Sequence, residues 1–418
     1  MNRICVMGLG YIGLPTASLI ATKGFSVLGV DVNRNIVDCV NRGEPHISEP
    51  DLDLLVKSAV HSGHLVAASE PGPADAFIIS VPTPFKGDHE PDLSCVESAV
   101  RAIAPAITSG NLIVLESTSP VGTTEMISAW LESERPDLSS LLSHKTTDGP
   151  RVFLAHCPER VLPGRIIREL VDNDRIIGGV DAASAELART LYEQFTSGRI
   201  FLTDARTAEM AKLAENAFRD VNIALANELS LICNRLGIDV WNLIALANRH
   251  PRVHILEPGP GVGGHCIAVD PWFIVHAAPD LAKLLRSARE VNDMKPDAVV
   301  AEVKEKAKGV ENPTIACLGL AYKADVGDLR ESPAVAIAAK LSSCTKGDVL
   351  VVEPHIKALP PVLSERANVA LVQSDEALSR ASVVVMLTNH RAFLSIDRSR
   401  LEGKIVIDTR GVWHRTVG

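Results

Sequence analysis

The sequence lacks long apolar stretches and paired cysteines, and each absence excludes a class of protein. No apolar run reaches the roughly 18 residues that a membrane span needs, so no membrane partner is expected. The eight cysteines are scattered without a CxxC pair, which is typical of reduced thiols rather than of a disulfide framework. His61 and His64 form the HxxH pattern of the chain, and nothing near it completes a metal site. We therefore predict no bound metal.

Positive charge is not in excess either. The net charge of −9 argues against a nucleic-acid partner, and it means that an anionic ligand must be met by local basic residues. The N-terminus shows no apolar core with a cleavage site, so we predict a cytoplasmic protein. At 418 residues the chain is too long for one ordinary core, and two or three domains are expected.

A glycine-rich turn follows the first strand-like run. Residues 3–8 are predicted as a strand, GLGYIG follows at residues 8–13, and a helix and a second strand lead to Asp31. Glycines let the turn tighten around a pyrophosphate, and the helix N-terminus favours its charge. Asp31 can accept hydrogen bonds from the adenosine ribose, which favours NAD over NADP. The alternative is a Rossmann-like unit that binds no dinucleotide.

The alternation of strands and helices continues beyond Asp31. Predicted strands at residues 76–81 and 112–116 are followed by turns that carry Thr83 and Thr118. Ligands bind at the carboxyl ends of parallel strands, so both threonines are candidates for cofactor contacts, with turn or cap chemistry as the alternative. Further strands are predicted at residues 152–155, 175–178 and 200–203.

A long helix is predicted from residue 207 to residue 236, where glycine and proline are absent. Thirty residues at about 1.5 Å each make a rod of roughly 45 Å, which suits the joining of two domains and packing against a second subunit. Lys212, Asn216 and Arg219 share one stripe of this helix. The stripe indicates either a functional face or an ordinary solvated one.

The loop at residues 259–271, GPGVGGHCIAVDP, is too poor in side chains to pack a core. Its glycines let the backbone approach a ligand closely. Cys266 lies near the end of this loop with Asp270 four residues later, and a thiol there is a candidate covalent nucleophile. The alternative is that Cys266 is a small buried apolar residue, as free cysteines usually are.

A second, smaller sheet is predicted from strands at residues 314–318, 349–352, 383–387 and 405–408. Lys323, Arg330 and Arg410 follow strand ends, where an anionic nucleotide can be held. The predicted fold is α/β, with two doubly wound Rossmann-like domains joined by a long central helix and a helical segment. The predicted domains are residues 1–204, 205–300 and 301–418. No internal repeat is evident in the sequence.

Together these motifs resemble the UDP-glucose/GDP-mannose 6-dehydrogenase family over the full length of the chain. The pieces that carry the resemblance are GLGYIGLP, VPTPFKGDHEPD, ESTSPVGTTE, CPERVLPG, RTAEMAKLAENAFRDVN, NRHPRVHILEPGPGVGGHCIAVDPWF and LGLAYKADVGDLRESP. Pro163 stands where the UDP-glucose branch carries a second glutamate, and the pattern ERVLPG is that of the acetamido-sugar branch.

The resemblance implies roles for individual residues. Cys266 is implied as the nucleophile and Lys212 as acid/base or oxyanion partner, with Asn216 and Asp270 placing water or substrate. NAD contacts are implied for Gly8, Gly10, Tyr11, Ile12, Gly13, Asp31, Thr83, Thr118 and Arg330. Substrate contacts are implied for Arg160, Val161, Lys212, Asn216, Arg219, His250, Arg252, Gly263, Tyr322, Lys323 and Arg410. Arg252 is implied to reach across a homodimer, and His265 receives no catalytic role.

The implied function is NAD-dependent oxidation of a UDP-N-acetylhexosamine, UDP-N-acetyl-D-mannosamine, at C6 through a cysteine thiohemiacetal and thioester. Another UDP-hexose, such as UDP-N-acetylglucosamine or UDP-glucose, is the alternative within this class. A 3-hydroxyacid-type dehydrogenase shares the first domain but leaves the glycine-cysteine loop and the third domain unexplained. An NAD-dependent epimerase would show no net NADH, and an inactive NAD-binding module would show no turnover.

Overall fold

The computed structural model describes residues 1–138, 142, 151–264 and 266–413. His265 and the other remaining positions lie outside the described residues. The chain forms two compact units, Met1–Glu215 and Asn216–Gly418. Within the described part of the chain, no helix is long and apolar enough to cross a membrane.

The first unit is built on a largely parallel sheet. Its strand order is β10-β9-β8-β7-β4-β1-β2-β3, and β9 runs antiparallel to β8. A separate hairpin pairs β5 with β6. The strands are β1 (Arg3–Met7), β2 (Ser26–Val30), β3 (Leu65–Ala68), β4 (Ala76–Ile79), β5 (Phe85–Lys86), β6 (Glu90–Pro91), β7 (Leu112–Leu115), β8 (Phe153–His156), β9 (Arg175–Gly179) and β10 (Ile200–Asp204).

Helices cover both faces of this sheet. Alternate residues of β1 enter different apolar clusters, with Ile4 and Val6 on one face and Cys5 and Met7 on the other. This alternation follows from the two-residue period of a strand. The helices are α1 (Gly13–Thr22), α2 (Arg34–Asn41), α3 (Leu52–His61), α4 (Ser94–Ile103), α5 (Thr123–Glu134), α6 (Ile166–Asp172) and α7 (Ala182–Tyr192).

The long central helix α8 spans Ala205–Leu236. The prediction of a helix here is confirmed, although it begins two residues before the predicted start at residue 207. Asp204 explains the earlier start, because its carboxylate accepts hydrogen bonds from the backbone N–H (2.9 Å) and the hydroxyl (2.6 Å) of Thr207. A side chain that satisfies these first donors stabilises a helix N-terminus.

The second unit contains a helical segment followed by a parallel sheet with strand order β13-β12-β11-β14-β15. Its strands are β11 (Ile315–Leu318), β12 (Val349–Val352), β13 (Val369–Leu371), β14 (Val383–Met386) and β15 (Ile405–Asp408). Its helices after α8 are α9 (Val240–Ala247), α10 (Asp270–Ala277), α11 (Lys283–Lys306), α12 (Pro333–Cys344), α13 (Pro361–Ser364), α14 (Ser374–Arg380) and α15 (Arg391–Leu394). The predicted α/β class with two Rossmann-like sheets is confirmed.

The two sheets begin in the same way, although no internal repeat was predicted from the sequence. The run ICVMGLGYIG at residues 4–13 aligns with IACLGLAYKA at residues 315–324. Gly8 and Gly319 both have φ of 91°, and each donates its N–H over 2.8 Å to the last residue of the neighbouring strand. The two sheets therefore share the same strand-turn arrangement at their first strands.

Candidate active site

The first glycine turn leaves room for a ligand beside the N-terminus of α1. A Cβ on Gly8 would lie 2.4 Å from the Ser80 carbonyl oxygen, and one on Gly13 would lie 1.8 Å from that of Gly8. A Cβ on Gly10, by contrast, would meet nothing within 4 Å. The turn is therefore closed on its protein side and open at Gly10, as a pyrophosphate beside a helix N-terminus requires. These residues fit NAD.

Asp31, at the end of β2, holds the open turn in place. One carboxylate oxygen accepts the N–H of Leu9 at 3.0 Å, and the other accepts the N–H of Asn33 at 2.9 Å. Each oxygen retains a lone pair that a ribose hydroxyl can use. A 2′-phosphate at the same place would meet a negative charge.

We expect NAD⁺ to be preferred over NADP⁺ by about tenfold or more, a difference of about 1.4 kcal/mol, because of this carboxylate. The measurement is kcat/KM for both cofactors at saturating sugar substrate. Asp31→Asn keeps the size of the side chain and removes its charge, so it should lower the ratio of kcat/KM for NAD⁺ to kcat/KM for NADP⁺. Equal kcat/KM for the two cofactors in the unmodified protein would contradict the role of Asp31.

The two predicted cofactor threonines lie together. Thr83 donates its hydroxyl hydrogen to the carbonyl of Thr118 at 2.5 Å, which joins the turns after β4 and β7. Ser117, next to Thr118, accepts the N–H of Val81 at 2.9 Å. The turn after β7 is held in addition by Glu209 on α8, whose carboxylate accepts the N–H of Thr124 at 2.8 Å. The sequence alone does not indicate Glu209, since only the fold brings it to this turn.

The segment that carries Arg160 and Val161 rests on a buried ion pair. Arg175 contacts the carboxylate of Glu159 at 3.3 Å, and both side chains are buried. Glu159 also accepts the N–H of Arg160 at 2.6 Å, and Arg160 pairs with Glu215 on α8 at 2.6 Å. Val161 packs against the core of the sheet. The pair therefore fixes the backbone that presents Arg160.

Burial shifts the pKa of several groups near this segment. It raises the pKa of Glu116 to about 8, and the charge of Glu159 adds to the shift. Burial lowers the pKa of His156 to about 3, and the nearby Lys212 ammonium also lowers it. His156 is therefore a neutral imidazole at physiological pH. Lys212 itself is 9% exposed.

The glycine-cysteine loop is fixed at the start of α10. The carbonyl of Cys266 accepts the N–H groups of Val269 at 3.0 Å and Asp270 at 2.8 Å. Asp270 is buried, and its carboxylate accepts a hydrogen bond from the Asn216 amide at 2.5 Å. Three predicted catalytic residues, Cys266, Asp270 and Asn216, thus belong to one connected group.

Tyr322 and Arg410 explain why this loop is rich in glycine. A Cβ on Gly264 would lie 3.0 Å from the ring of Tyr322, and one on Gly263 would lie 2.8 Å from its Cβ. A Cβ on Gly259 would lie 2.7 Å from a guanidinium nitrogen of Arg410. Larger side chains would displace these two candidate substrate residues. The glycines of this loop predict close approach to a ligand, and the structure adds close approach to the strand-end residues of the second sheet.

Cys266 differs from the buried cysteines of the chain. Burial raises the pKa of Cys5, Cys157 and Cys317 to about 12, so these remain protonated thiols. Cys266, in contrast, is half-buried. Nucleophilic cysteines are found in partly exposed sites of this kind.

The turn that carries Lys323 is held by Glu353, which follows β12 as Asp31 follows β2. The Glu353 carboxylate accepts the N–H groups of Leu320 at 2.7 Å and Ala321 at 2.9 Å, and a hydrogen bond from His390 Nε2 at 3.0 Å. These three bonds go to Oε2 of the buried Glu353, and Oε1 accepts the N–H of His355 at 3.1 Å, whereas Asp31 is only half-buried. The second turn is thus not arranged for a dinucleotide ribose.

Asp325, His355 and His390 lie with one potential ligand atom each within 4.8 Å. His390 Nδ1 accepts the N–H of Asp325 at 2.9 Å, so its proton is on Nε2, which faces Glu353. Asp325 also accepts hydrogen bonds from Arg391, at 2.7 Å from Nε. Both ring nitrogens of His390 are therefore engaged in holding the turn, and the cluster does not overturn the prediction of no metal.

Three predicted substrate residues lie at the protein surface. Arg219, His250 and Arg252 are exposed, and the backbone N–H of Arg252 lies 3.3 Å from His250 Nδ1. Lys323 and Arg330 are exposed as well, and Arg330 pairs with Asp328 at 2.6 Å. The carbonyl of Arg330 accepts the N–H of Gly264 at 3.2 Å, which ties its segment to the loop.

Comparison with known families decides the identity of this arrangement. Residues 2–196, 206–294 and 316–415 match the NAD binding, central and UDP binding domains of the UDP-glucose/GDP-mannose dehydrogenase family. The chain belongs to that family. It is therefore an NAD-dependent nucleotide-sugar dehydrogenase, and the prediction of its family, enzyme class and cofactor is confirmed.

Curated members of the family align with nearly the whole chain. NDP-N-acetyl-D-galactosaminuronic acid dehydrogenase of Ralstonia nicotianae is 58% identical over 412 residues, which cover 99% of this chain and 96% of that protein. UDP-N-acetyl-D-mannosamine dehydrogenase of Campylobacter jejuni is 56% identical over 401 residues, which cover 96% of this chain and 98% of that protein. Among solved structures, UDP-D-ManNAc dehydrogenase of Pyrococcus horikoshii matches with a TM-score of 0.88 at 39% identity, over 100% of this chain and 97% of that one.

Proposed function

We propose that the chain oxidises C6 of UDP-N-acetyl-D-mannosamine to the carboxylate and consumes two NAD⁺ per sugar. The observation that carries the proposal is the half-buried Cys266 in a glycine-rich loop whose end is bonded to Asn216 through Asp270. A thiol held in this way can retain an aldehyde between two oxidations. The names of the similar proteins support an acetamido-sugar nucleotide as the substrate.

Each residue of the proposed mechanism has one task. The hydride acceptor in each of the two oxidations is NAD⁺. The Cys266 thiolate adds to the C6 aldehyde and forms a thiohemiacetal, and oxidation of this adduct leaves a thioester. Lys212 stabilises negative charge on the C6 oxygen and exchanges its proton. Water then hydrolyses the thioester with Cys266 as the leaving group, and Asn216 and Asp270 place this water or the substrate.

The remaining candidate residues are proposed to bind the two nucleotides. The adenine dinucleotide takes the glycine turn at residues 8–13, Asp31 and the threonine turns, and Arg330 is a further proposed NAD contact. The substrate diphosphate is anionic, and Lys323 and Arg410 supply positive charge that the net charge of −9 does not. The other proposed substrate contacts are Arg160, Val161, Arg219, His250, Arg252, Gly263 and Tyr322. The free thiols of all eight cysteines suit our proposal of a cytoplasmic location.

The sugar is the part of the proposal that a direct assay decides. We expect NADH formation from UDP-N-acetyl-D-mannosamine to exceed that from UDP-N-acetylglucosamine, UDP-N-acetylgalactosamine and UDP-glucose in kcat/KM. The galactosamine epimer belongs in the panel because a similar protein is named for that configuration. A higher kcat/KM with another sugar of the panel would replace the mannosamine assignment and leave the dehydrogenase chemistry intact.

A homodimer is proposed from an apolar stripe on α8. Phe218, Leu225 and Ile232 recur every seven residues and are 71%, 45% and 47% exposed. A seven-residue apolar repeat on a helix surface is the pattern by which two helices pack together. We propose that a second copy of the chain covers this stripe, since a cyclic dimer pairs one patch with itself.

We expect Arg252 to complete the substrate site of the neighbouring subunit, because it is exposed and lies shortly before the glycine-cysteine loop. Mixing inactive Cys266→Ala and Arg252→Ala proteins under conditions that exchange subunits should then restore part of the activity. Each variant exchanged with itself is the control. No recovery of activity in verified heterodimers would contradict a role of Arg252 across the dimer. The interface itself is tested separately, because Phe218→Glu should yield monomers if the apolar stripe on α8 forms the interface.

A further inference from the structure

The inner face of α8 carries a row of polar side chains, of which Asp220 and Asn227 are buried and have no task in the proposed mechanism. Asn216, Asp220 and Asn227 belong to the second unit and recur at helical spacing. Asn216 and Asn227 are eleven residues apart, which is about three turns and about 16 Å along a helix, so they share one face. We refer to these three residues as the polar row.

The two ends of the glycine-cysteine loop are bonded to the two ends of the polar row. At the first end, the N–H of Gly259 donates to the Asn227 side-chain oxygen at 2.8 Å, in a buried hydrogen bond. At the second end, the Asn216 amide donates to Asp270 at 2.5 Å. Cys266 lies between the two attachments. One rigid helix therefore sets the span of the loop that carries the nucleophile.

Asn227 is held in a single orientation by a chain of hydrogen bonds. Because the Gly259 N–H can only donate, the oxygen of the Asn227 amide faces it, and its nitrogen donates to the Asn292 oxygen at 2.9 Å. The Asn292 nitrogen in turn donates to the Asp220 carboxylate at 2.8 Å. Asp220 can only accept while ionised, so its charge fixes the direction of both amides.

An ion pair keeps that charge in place. Arg289 on α11 donates to Asp220 at 2.6 Å and also pairs with Asp293. Asn227, Asn292, Asp220 and Arg289 are each at most 1% exposed. A polar group at such depth is costly unless it is bonded, and the hydrogen bonds of this network favour one packing arrangement. The position of the start of the loop therefore depends on how α8 packs on α11.

We propose that Asn227 is a positioning residue for Cys266, oriented by Asn292 and by the Asp220–Arg289 pair. The proposal rests on the proposed function of Cys266 as the nucleophile. Asn227 does not touch the reacting atoms. It fixes the Gly259 backbone, against which Arg410 also packs, and so sets where the loop begins.

The test compares Asn227→Leu with Asn227→Asp and with a matched control. Asn111 in the first unit is also buried, and it accepts the N–H of Thr108 at 2.8 Å and donates to Ala74 at 2.9 Å. Asn111→Leu therefore measures the cost of losing a buried amide away from the loop. We expect Asn227→Leu to lower kcat by about tenfold to a hundredfold, since small misplacements of reacting groups have effects of that size.

The KM for NAD⁺ should stay unchanged in Asn227→Leu, and its loss of Tm should match that of Asn111→Leu. Asn227→Asp keeps an acceptor for the Gly259 N–H, so it should regain part of kcat. Equal kcat for Asn227→Leu and Asn111→Leu at matched stability would overturn the proposal. If neither Asn227 variant folds, hydrogen exchange of the unmodified protein decides, since rapid exchange at the Gly259 amide would overturn it and strong protection would support it.

The two proposals fail in different ways. If Cys266→Ala retains full activity, the covalent function fails and Asn227 has no nucleophile to position. If Cys266→Ala is inactive while Asn227→Leu behaves as the control variant does, only the positioning role fails.

Discussion

Cys266→Ala is expected to lower the kcat for carboxylate formation by about a thousandfold or more, because it removes the group that retains the aldehyde. Binding of NAD⁺ and of the UDP-sugar should persist, since a methyl group fills most of the space of the thiol. Cys266→Ser should also be badly impaired, because a hydroxyl without a lowered pKa is a much poorer nucleophile than a thiolate. The measurement is steady-state carboxylate and NADH formation, with binding followed by titration calorimetry.

Cys95→Ala supplies the matched control for this experiment. Cys95 is an exposed free thiol on α4, and its replacement should leave kcat unchanged. If Cys266→Ala kept the kcat of the unmodified protein, Cys266 would be a packing residue and the covalent mechanism would be wrong. A loss of binding together with kcat would instead indicate that the loop had collapsed.

Arg289→Met is expected to lower the free energy of unfolding by about 3–5 kcal/mol, since it leaves the buried Asp220 carboxylate without its cation. Burial already raises the pKa of Asp220, although the Arg289 charge and hydrogen bond oppose the shift. Without Arg289 the folded protein should favour the protonated carboxyl even more. Because a raised pKa in the folded state means that folding takes up a proton, the loss should shrink as the pH falls towards the ordinary pKa of an aspartate.

Urea unfolding at several pH values measures this effect. The double variant Asp220→Leu/Arg289→Met should recover much of the lost stability, because an apolar pair needs no compensating charge. If Arg289→Met lowered the free energy of unfolding by less than about 1 kcal/mol at neutral pH, water or another group would have to compensate the charge of Asp220. Arg206→Met, which removes an exposed ion pair with Glu125 at 2.7 Å, should change stability little.

The strands were predictable where the local sequence determines them. Runs of buried apolar residues between turns, such as Val349–Val352, match the predicted strands at both ends. The short, half-exposed strands Leu65–Ala68 and Val369–Leu371 were missed, since their burial patterns are weak. The antiparallel placement of β9 beside β8 depends on the path of the connecting segment, which no local pattern encodes.

The residues of the candidate site also fall into those that the local sequence predicts and those that it does not. The glycine turn at residues 8–13 and the glycine-cysteine loop were predictable because only glycine tolerates such close approaches. Asn227 was not, because its bond to Gly259 joins positions 32 residues apart through the folding of the loop onto α8. A signal for the second turn was present in the shared GL-Y pattern at residues 8–11 and 319–322. This signal is easy to overlook, because Ala321 stands at the position that corresponds to Gly10.

The ratio of NADH formed to UDP-N-acetyl-D-mannosamine consumed tests the central claim most directly. One NAD site used twice, with the aldehyde held on Cys266 between the oxidations, requires two NADH and one carboxylate per sugar, with little free aldehyde in solution. The ratio is obtained from absorbance at complete conversion together with mass spectrometry of the nucleotide sugar. A ratio of two with a uronate product is the predicted result. A ratio of one with accumulated aldehyde, or an epimerised sugar without net NADH, would contradict the account.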